Sequence, residues 1–358
     1  MKTAIIGLPM VGKTSLFTIL TGVHQETRIG STAARMGVAK VPDARLEELA
    51  RLFEPLKVTH ATVEYVDMPA ISKENLRDPG YLASLRVVDA FAQVLRLFSD
   101  ETIPHEKGSV DPIRDLEDVE TELILSDLVV VEKRLERLEK DRKKIKNPEL
   151  DHEFDLLQTC LAALGDNQPL RQLDLDAEAE KSIRGFQFLS RKPMLYVLNL
   201  GEEEAGKLHE RELEYREGVL AGRKHASATA VCGKIEAELA ELSAAEQRDY
   251  LASYGLQESG LERLITATYA LLGLMSFLTA GEDECRAWTV PAHSHAVKAA
   301  GAIHSDFEKK FIRAEVVNWK SLVDLGGYAG AREKGVLRLE GKDYIVQDGD
   351  ILNIRFNI

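Results

Sequence analysis

Residues 7–14 restrict the fold of this chain more than any other stretch, and they read Gly-Leu-Pro-Met-Val-Gly-Lys-Thr. Residues 2–6, just before them, form a short β-branched run that is typical of a buried strand. Residues 15–20, just after them, have the apolar spacing of a helix, which stops at Thr21-Gly22. A strand, a glycine-containing loop and a helix in this order predict that the chain opens with an α/β unit.

The loop fits the pattern GxxxxGK[ST] at every position. In such a loop the backbone N–H groups surround phosphate oxygens, and the positive end of the helix dipole points at them. Gly7 and Gly12 allow close backbone approach, Lys13 bridges the outer phosphates and the Thr14 hydroxyl coordinates Mg²⁺. An ordinary glycine turn is the alternative, which the Lys-Thr pair at the helix start disfavours. The predicted phosphate-binding residues are Gly7, Leu8, Pro9, Met10, Val11, Gly12, Lys13, Thr14 and Ser15.

Further apolar runs predict buried parallel strands between helices, and they cover residues 61–66, 90–96, 193–198 and 228–231. Ligands bind at the carboxyl ends of such strands, which is where Asp67, Asn199 and Cys232 fall. Asp67 is therefore predicted to hold Mg²⁺ and to join Lys13 and Thr14 as the catalytic set. The alternative is that Asp67 caps the next turn, because Met68-Pro69 follows.

A chain of 358 residues suggests two or three domains. Residues 116–182 are highly charged, without strand signals, and their leucine spacing breaks at Asn147-Pro148, which predicts an inserted helical hairpin. Residues 276–358 combine alternating strand patterns with glycine turns, which predicts a small α+β domain. Residues 1–115 and 183–275 then make up the nucleotide domain.

Charge limits the nucleic-acid contacts of the chain. The net charge of −13 excludes an overall basic surface, so any such contact needs a local patch. Residues 133–146 carry eight basic against three acidic residues; this cluster is either a solvated helix face or an RNA or ribosome contact. From residue 281 onward, 11 basic and 12 acidic residues disfavour dominant phosphate-backbone binding by the last domain alone.

Cysteine and histidine usage points to an intracellular protein without a zinc site. Cys160, Cys232 and Cys285 are widely separated and odd in number, so we expect reduced thiols. His293, His295 and His304 lack carboxylate or cysteine partners in the pattern and are interpreted as surface residues. The chain shows neither a membrane-spanning run nor a signal-peptide pattern, so we expect a cytoplasmic protein with no membrane contact.

Several stretches resemble the YchF/Obg-like ATPase family across the whole chain. They are Gly7-Leu8-Pro9 with Val11-Gly12-Lys13, residues 41–46, Thr279-Ala280-Gly281 with residues 286–289, and residues 304–309, 311–316 and 341–350. The resemblance implies a Ras-like P-loop NTPase domain, an inserted helical domain and a carboxyl-terminal TGS domain of β-grasp type. It also implies ATP hydrolysis and an association with ribosomes and translation.

The base specificity is interpreted from Asn199-Leu200-Gly201-Glu202. Guanine-specific proteins carry Asn-Lys-x-Asp at this point, whereas here the lysine is absent and the acid is one methylene longer. A carboxylate there would face an acceptor of adenine, and unpaired buried polar groups cost on the order of 1–3 kcal/mol. By resemblance to the family's NxxE version, Asn199 and the Leu200 backbone meet adenine, with Cys232 and Gly233 beside it. ATP is therefore favoured, and GTP stays open.

The chain departs from the family at three places. Met10 replaces the usual asparagine, so we predict no potassium requirement. The switch I hydroxyl that contacts magnesium is either Ser31 or Thr32. In switch II the usual DxxG becomes Asp67-Met68-Pro69-Ala70, and Ile71 stands where Ras-like enzymes orient water. Pro69 restricts the backbone and cannot donate a hydrogen bond. Because Ile71 supplies no polar base, hydrolysis has to rely on electrostatics from Mg²⁺, Lys13 and the loop amides, and we expect slow turnover.

The leading interpretation is a switch ATPase with ATP and Mg²⁺ as cofactors. Its bound nucleotide would control docking on a ribosome or another RNA–protein partner through the helical insert and the TGS domain. The alternatives are a GTPase of the same shape and a nucleotide-dependent binding module that does not hydrolyse. A monomer is favoured, although nothing in the pattern fixes the oligomeric state.

Overall fold

The computed structural model describes residues 1–23, 34–144 and 146–357. Its strands are β1 (Lys2–Ile6), β2 (Arg35–Lys40), β3 (Lys57–Thr59), β4 (Thr62–Asp67), β5 (Ala90–Arg96), β6 (Met194–Asn199), β7 (Ala226–Val231), β8 (Leu274–Thr279), β9 (Glu284–Pro291), β10 (Phe311–Asn318), β11 (Arg338–Glu340) and β12 (Asp350–Phe356). Its α-helices are α1 (Lys13–Thr21), α2 (Ala44–Phe53), α3 (Pro79–Arg86), α4 (Pro112–Arg142), α5 (Pro148–Gly165), α6 (Ala177–Ile183), α7 (Leu208–Glu214), α8 (Gly233–Leu239), α9 (Ala244–Ser253), α10 (Gly260–Leu271), α11 (Ala296–Ile303), α12 (Ser305–Lys309), α13 (Trp319–Asp324) and α14 (Tyr328–Glu333). The chain divides into two compact units, the first Met1–Val38 with Glu64–Leu271 and the second Ala39–Val63 with Leu272–Ile358.

The first unit is built on a sheet of order β2-β4-β1-β5-β6-β7. β1 pairs in parallel with both β4 and β5, and β6 pairs in parallel with both β5 and β7. Every residue of β5 and β6 is buried, as expected of strands covered on both faces. The five strands that we predicted from apolar runs in this unit are all present, within two residues at each end. Their carboxyl ends lie at one edge of the sheet.

The helical hairpin predicted between residues 116 and 182 is also present. α4 begins after Asp111 and α5 after Asn147, and each of these side chains accepts a hydrogen bond from a backbone N–H of its helix. Pro148 occupies the first turn of α5, where its missing N–H costs nothing. The two helices share an apolar core that includes Val131, Leu135, Leu138, Leu157 and Cys160.

A buried aspartate fastens the hairpin to the sheet. Asp127 of α4 accepts hydrogen bonds from the backbone N–H groups of Leu189 (2.9 Å) and Ser190 (2.7 Å), and from the Ser190 hydroxyl (2.7 Å). Burial raises the pKa of Asp127 to about 6 in spite of these donors. The hairpin is therefore held at the chain segment that leads into β6.

The second unit contains a mixed sheet of order β11-β10-β12-β8-β9-β3. β8 and β9 are antiparallel, as are β10 and β12, whereas β12 and β8 run parallel. α11 contributes Ala296, Ala299 and Ala300 to its apolar core. α11 ends at Ile303, because His304 has an extended backbone with φ −159°.

Part of the segment that we expected in the nucleotide domain belongs to this second unit. β3 pairs in parallel with β9, in the register Lys57 with Glu284 and Thr59 with Arg286. Arg45 of α2 donates a hydrogen bond to Asp348 Oδ2 at 2.8 Å. These contacts place Ala39–Val63 with the carboxyl-terminal strands in the second compact unit. The predicted domain boundaries at residues 115, 182 and 276 stay predictions.

Among the described helices, none combines the length and the apolar character needed to cross a lipid bilayer.

Candidate functional site

The loop between β1 and α1 depends on two glycines. Gly7 has φ 140° and Gly12 has φ 99°, in the region that side chains other than glycine rarely adopt. A Cβ on Gly7 would lie 2.7 Å from the Val94 carbonyl oxygen, and one on Gly12 would lie 2.5 Å from Asn199 Nδ2. The sequence explained these glycines by approach to phosphate alone. The structure adds that both are needed for contacts with neighbouring strands.

Lys13 lies at the start of α1 with its side chain inside the loop. It is 8% exposed, and its Nζ donates a hydrogen bond to the Leu8 carbonyl oxygen at 2.5 Å. Burial lowers the pKa of Lys13 to about 8, although attraction to Asp67 and Glu106 opposes that shift. A buried cation of this kind gains most from an anion that enters the loop.

Thr14 and Asp67 meet at the edge of the sheet. The Thr14 hydroxyl donates to Asp67 Oδ2 at 3.0 Å, and Asp67 is 6% exposed at the end of β4. Asp67 Oδ1 is buried and accepts no hydrogen bond within the described part of the chain. A hydroxyl beside a carboxylate with an unused oxygen is a ligand set that suits Mg²⁺. Arg35 of β2 also contacts this carboxylate, through an ion pair to Oδ2. The switch I candidates Ser31 and Thr32 lie outside the described residues.

The segment after Asp67 is fixed by side chains that the sequence interpretation did not single out. The Tyr81 hydroxyl donates to the Pro69 carbonyl at 2.9 Å, and Asn75 Nδ2 donates to the Ala70 carbonyl at 2.7 Å. The backbone N–H of Ile71 donates to the Gly7 carbonyl at 3.2 Å, and the Ile71 side chain is buried. This segment is therefore held directly against the phosphate loop.

Asn199 links the loop to the far end of the site. Its Nδ2 donates to the Val11 carbonyl at 3.0 Å, and its Oδ1 accepts from the Gly233 N–H at 3.1 Å. The N–H of the neighbouring Leu200 donates to the Val231 carbonyl at 2.8 Å. Within the described residues, the second N–H of this carboxamide has no acceptor. Asn199 is thus first a brace between two backbone segments.

A cavity of about 800 Å³ opens beside this brace. Of the predicted base-binding residues, Asn199, Leu200, Glu202 and Gly233 line it. Glu202 pairs with Lys234 and accepts a hydrogen bond from the Tyr254 hydroxyl at 3.0 Å, which lowers the pKa of the carboxyl group. Cys232 does not line the cavity, because its side chain is buried in an apolar cluster with Ile235 and Leu239.

The cavity also has a wall that the sequence did not reveal. Its residues follow β5, and they are Phe98, Ser99, Asp100, Thr102, Ile103 and Pro104. Phe98 is the aromatic member, and the Arg96 guanidinium lies 4.5 Å from its ring centroid. The signal that could have found this wall is positional, because the loop follows the carboxyl end of a predicted central strand.

The histidines of the second unit show local roles. His295 Nδ1 lies 3.1 Å from the Asp343 carbonyl, and His304 Nδ1 accepts from the Asp306 N–H at 3.1 Å. Across the residues that the structure covers, no group of three or more His, Cys, Asp or Glu side chains is arranged to hold a metal ion.

A phosphate loop after the first of five parallel strands, with a threonine and an aspartate side by side at the carboxyl ends of those strands, defines a P-loop NTPase. Residues 274–357 match the family described as YchF-GTPase_C, protein of unknown function (DUF933). Over all of both chains the sequence is 41% identical to the "Ribosome-binding ATPase YchF" of Bacillus subtilis. It is 38% identical to the protein of that name from Escherichia coli O157:H7, covering 100% of this chain and 99% of the other.

A solved structure of the YchF GTPase of Schizosaccharomyces pombe is similar to the whole chain. It matches with a TM-score of 0.84 and 28% identity, covering 99% of this chain and 97% of that one. The chain therefore belongs to the YchF family. This confirms the resemblance drawn from the motifs and the predicted fold class, a P-loop NTPase domain with a helical insert and a carboxyl-terminal domain.

Proposed function

We propose that this protein is a Mg²⁺-dependent P-loop ATPase that acts as a nucleotide-controlled switch on the ribosome. The observation that carries the proposal is the meeting of Lys13, Thr14 and Asp67 at the carboxyl ends of the parallel strands β1 and β4. The relatives from Bacillus subtilis and Escherichia coli are named ribosome-binding ATPases, which supports both parts of the proposal. Such a switch belongs in the cytoplasm, where ribosomes are found.

Thr14 and Asp67 would hold the magnesium ion. Their oxygens already lie 3.0 Å apart, and Asp67 Oδ1 still lacks a hydrogen-bond donor among the residues described. When bound, the metal would neutralise charge on the phosphate oxygens. The chain itself would supply the Lys13 ammonium group and the backbone N–H groups of the loop, which bind and orient the phosphates.

ATP is the proposed nucleotide, although one relative is titled a GTPase. Guanine requires an acceptor for its ring N–H and amine, and the only acid of the Asn199–Glu202 stretch is Glu202, which Lys234 and Tyr254 already engage. The second N–H of Asn199 Nδ2, which has no acceptor in the described part of the chain, suits an acceptor nitrogen of adenine. Calorimetry with non-hydrolysable ATP and GTP analogues tests this proposal, and equal affinity for the two would contradict it.

Slow hydrolysis is proposed because the position of the water-orienting residue is apolar. The Ile71 side chain is buried and has no polar group that could orient a water molecule. Its backbone N–H donates to the Gly7 carbonyl of the phosphate loop. A single-turnover assay with Lys13→Ala as the control tests this step. Equal rates for the two proteins would favour a binding module that does not hydrolyse.

The ribosome contact is proposed to involve the basic cluster of residues 133–146. Two of its arginines are already paired, Arg134 with Glu153 and Arg142 with Asp151. Others of the cluster, such as Arg137, Lys140 and Lys144, are exposed.

Co-sedimentation with ribosomes tests the contact with a triple variant in which Arg137, Lys140 and Lys144 become glutamate. Reduced binding is expected, and less so for a matched variant in which three exposed lysines of the second unit, Lys298, Lys309 and Lys334, become glutamate. Equal losses of ribosome binding in the two variants would show that net charge, rather than a specific surface, determines binding.

A further inference from the structure

Arg35 occupies an unexpected place for a residue of the outermost strand of its sheet. It is the first residue of β2, and its Nη2 forms an ion pair with Asp67 Oδ2. The same oxygen accepts the Thr14 hydroxyl at 3.0 Å. The carboxylate that the proposed function gives to magnesium is therefore already held by a cationic side chain of the same chain.

The pair is well shielded from water. The side chain of Arg35 is 10% exposed and that of Asp67 is 6% exposed. The guanidinium also lies 5.4 Å from the centroid of the Phe17 ring on α1, in the range of a cation–π contact. Removing water strengthens an ion pair and makes each partner costly to leave uncompensated. Arg35 is thus held in place from two sides, by a carboxylate and by an aromatic face.

The Arg35 guanidinium and a magnesium ion would compete for the same carboxylate, that of Asp67. Magnesium bound by Thr14 and Asp67 would lie close to the Arg35 guanidinium, and like charges repel strongly where little water screens them. A carboxylate oxygen that is hydrogen bonded to Arg35 is also less available as a metal ligand. The pairing of Arg35 and the binding of metal therefore oppose each other.

We infer that Arg35 competes with Mg²⁺ for Asp67 and so sets the magnesium concentration at which the protein takes up nucleotide. The inference rests on the proposed function, because it requires magnesium-dependent nucleotide binding. The inference predicts in which direction the magnesium requirement changes. Removal of the Arg35 charge makes nucleotide binding need less magnesium, whereas loss of a phosphate ligand would weaken binding whether or not metal is present.

The test is a titration of magnesium that reads binding rather than hydrolysis. The affinity for a fluorescent ATP analogue is measured from excess chelator up to saturating Mg²⁺ for the wild type, Arg35→Met, Arg35→Gln and Arg35→Lys. The methionine keeps an apolar stem over Phe17, and glutamine is a second neutral variant in case one of them does not fold. Lysine keeps the charge and serves as the matched control, and thermal melting checks that each variant is folded.

In the neutral variants the midpoint of the magnesium titration is expected to fall by about tenfold, within the usual range for coupling between two ligands. The lysine variant should stay near the wild type. An unchanged midpoint in a folded neutral variant would overturn the inference. So would a loss of affinity that is equal with and without metal, which would make Arg35 a phosphate ligand.

A wild-type protein that binds no nucleotide at any magnesium concentration would overturn the proposed function, and this inference would fall with it. That result differs from the other two because it appears before any variant is made.

Discussion

The two ends of the nucleotide site differ in how firmly they are built. At the phosphate end, Lys13, Thr14 and Asp67 are buried or in contact with buried groups, and backbone contacts fix the loop around them. At the base end, the Glu202–Lys234 pair is largely exposed and the facing wall is a loop. The difference teaches that the proposed phosphate site is built into the fold, whereas the proposed base site rests on a few exposed side chains that can change without disturbing the fold.

The largest effect is expected at the phosphate end, for Lys13→Ala. Loss of a buried charge that faces an anion costs several kcal/mol, so the affinity for ATP should fall by at least about a hundredfold. Calorimetry at saturating Mg²⁺ measures it. Lys334→Ala, at an exposed lysine of the second unit, is the control. A loss of less than about tenfold would mean that the loop amides alone hold the phosphates.

A pH effect on stability is expected next, from the helix that opens the base end. Glu236 of α8 is 2% exposed and accepts the Gly260 N–H at 2.8 Å, and burial raises its pKa from 4.5 to about 7. The folded state therefore holds this proton more tightly than the unfolded state. The stabilisation is complete below about pH 4.5 and is lost as the pH rises through about 7, which lowers the free energy of unfolding by roughly 3 kcal/mol.

Glu236→Gln is the matched variant, because it keeps an acceptor for Gly260 and removes the titration. Denaturant unfolding between pH 4.5 and pH 8 should show a smaller decline for the variant than for the wild type. Parallel curves for the two proteins would rule out Glu236 as the source.

A smaller effect is expected where the two ends are joined, at Asn199. Asn199→Ala removes hydrogen bonds to Val11 and Gly233, which should cost about 2 kcal/mol of stability. It should also weaken ATP and GTP binding alike, by about tenfold. Asn199→Asp keeps the acceptor for Gly233 and loses the donor to Val11, so it separates the two contacts. A loss of affinity for ATP with unchanged affinity for GTP would show that Asn199 mainly recognises the base.

The smallest effect is expected for base choice. Lys234→Met frees the Glu202 carboxylate to accept from guanine, so the affinity for GTP relative to ATP should rise by up to about fivefold, as the loss of one exposed ion pair allows. Competition between the two nucleotides measures the ratio, and Tyr254→Phe removes the other partner of Glu202 as a comparison. An unchanged ratio with both variants would place base choice elsewhere, for example in the loop that carries Phe98.

The phosphate end could be predicted from sequence because its chemistry is local. Eight consecutive residues form the loop, and the apolar runs that precede Gly7 and Asp67 are long enough to mark buried strands. The hairpin was also predictable, since Asn147-Pro148 both caps and starts a helix. The roles of these residues toward nucleotide and metal remain predictions.

Other features could not be predicted from the sequence, because they depend on pairing between distant residues. β3 has only three residues, two of them exposed, and its place beside β9 is set by a partner over 200 positions away. The ion pair of Arg35 with Asp67 and the brace from Asn199 to Val11 likewise need the folded sheet to bring their partners together. Cys232 differs from the other predicted base-binding residues, because its side chain lies in an apolar cluster and does not line the cavity.

The fixed segment after Asp67 has a thermodynamic consequence for ligand binding. Tyr81 and Asn75 hold the carbonyls of Pro69 and Ala70, so this backbone is ordered in the protein alone. Immobilising a free residue costs about 1–2 kcal/mol, and a ligand that meets a preformed wall is spared that loss for each residue already held. Tyr81→Phe would return part of that freedom to the segment, and binding would then carry a larger entropic penalty for the same set of phosphate contacts.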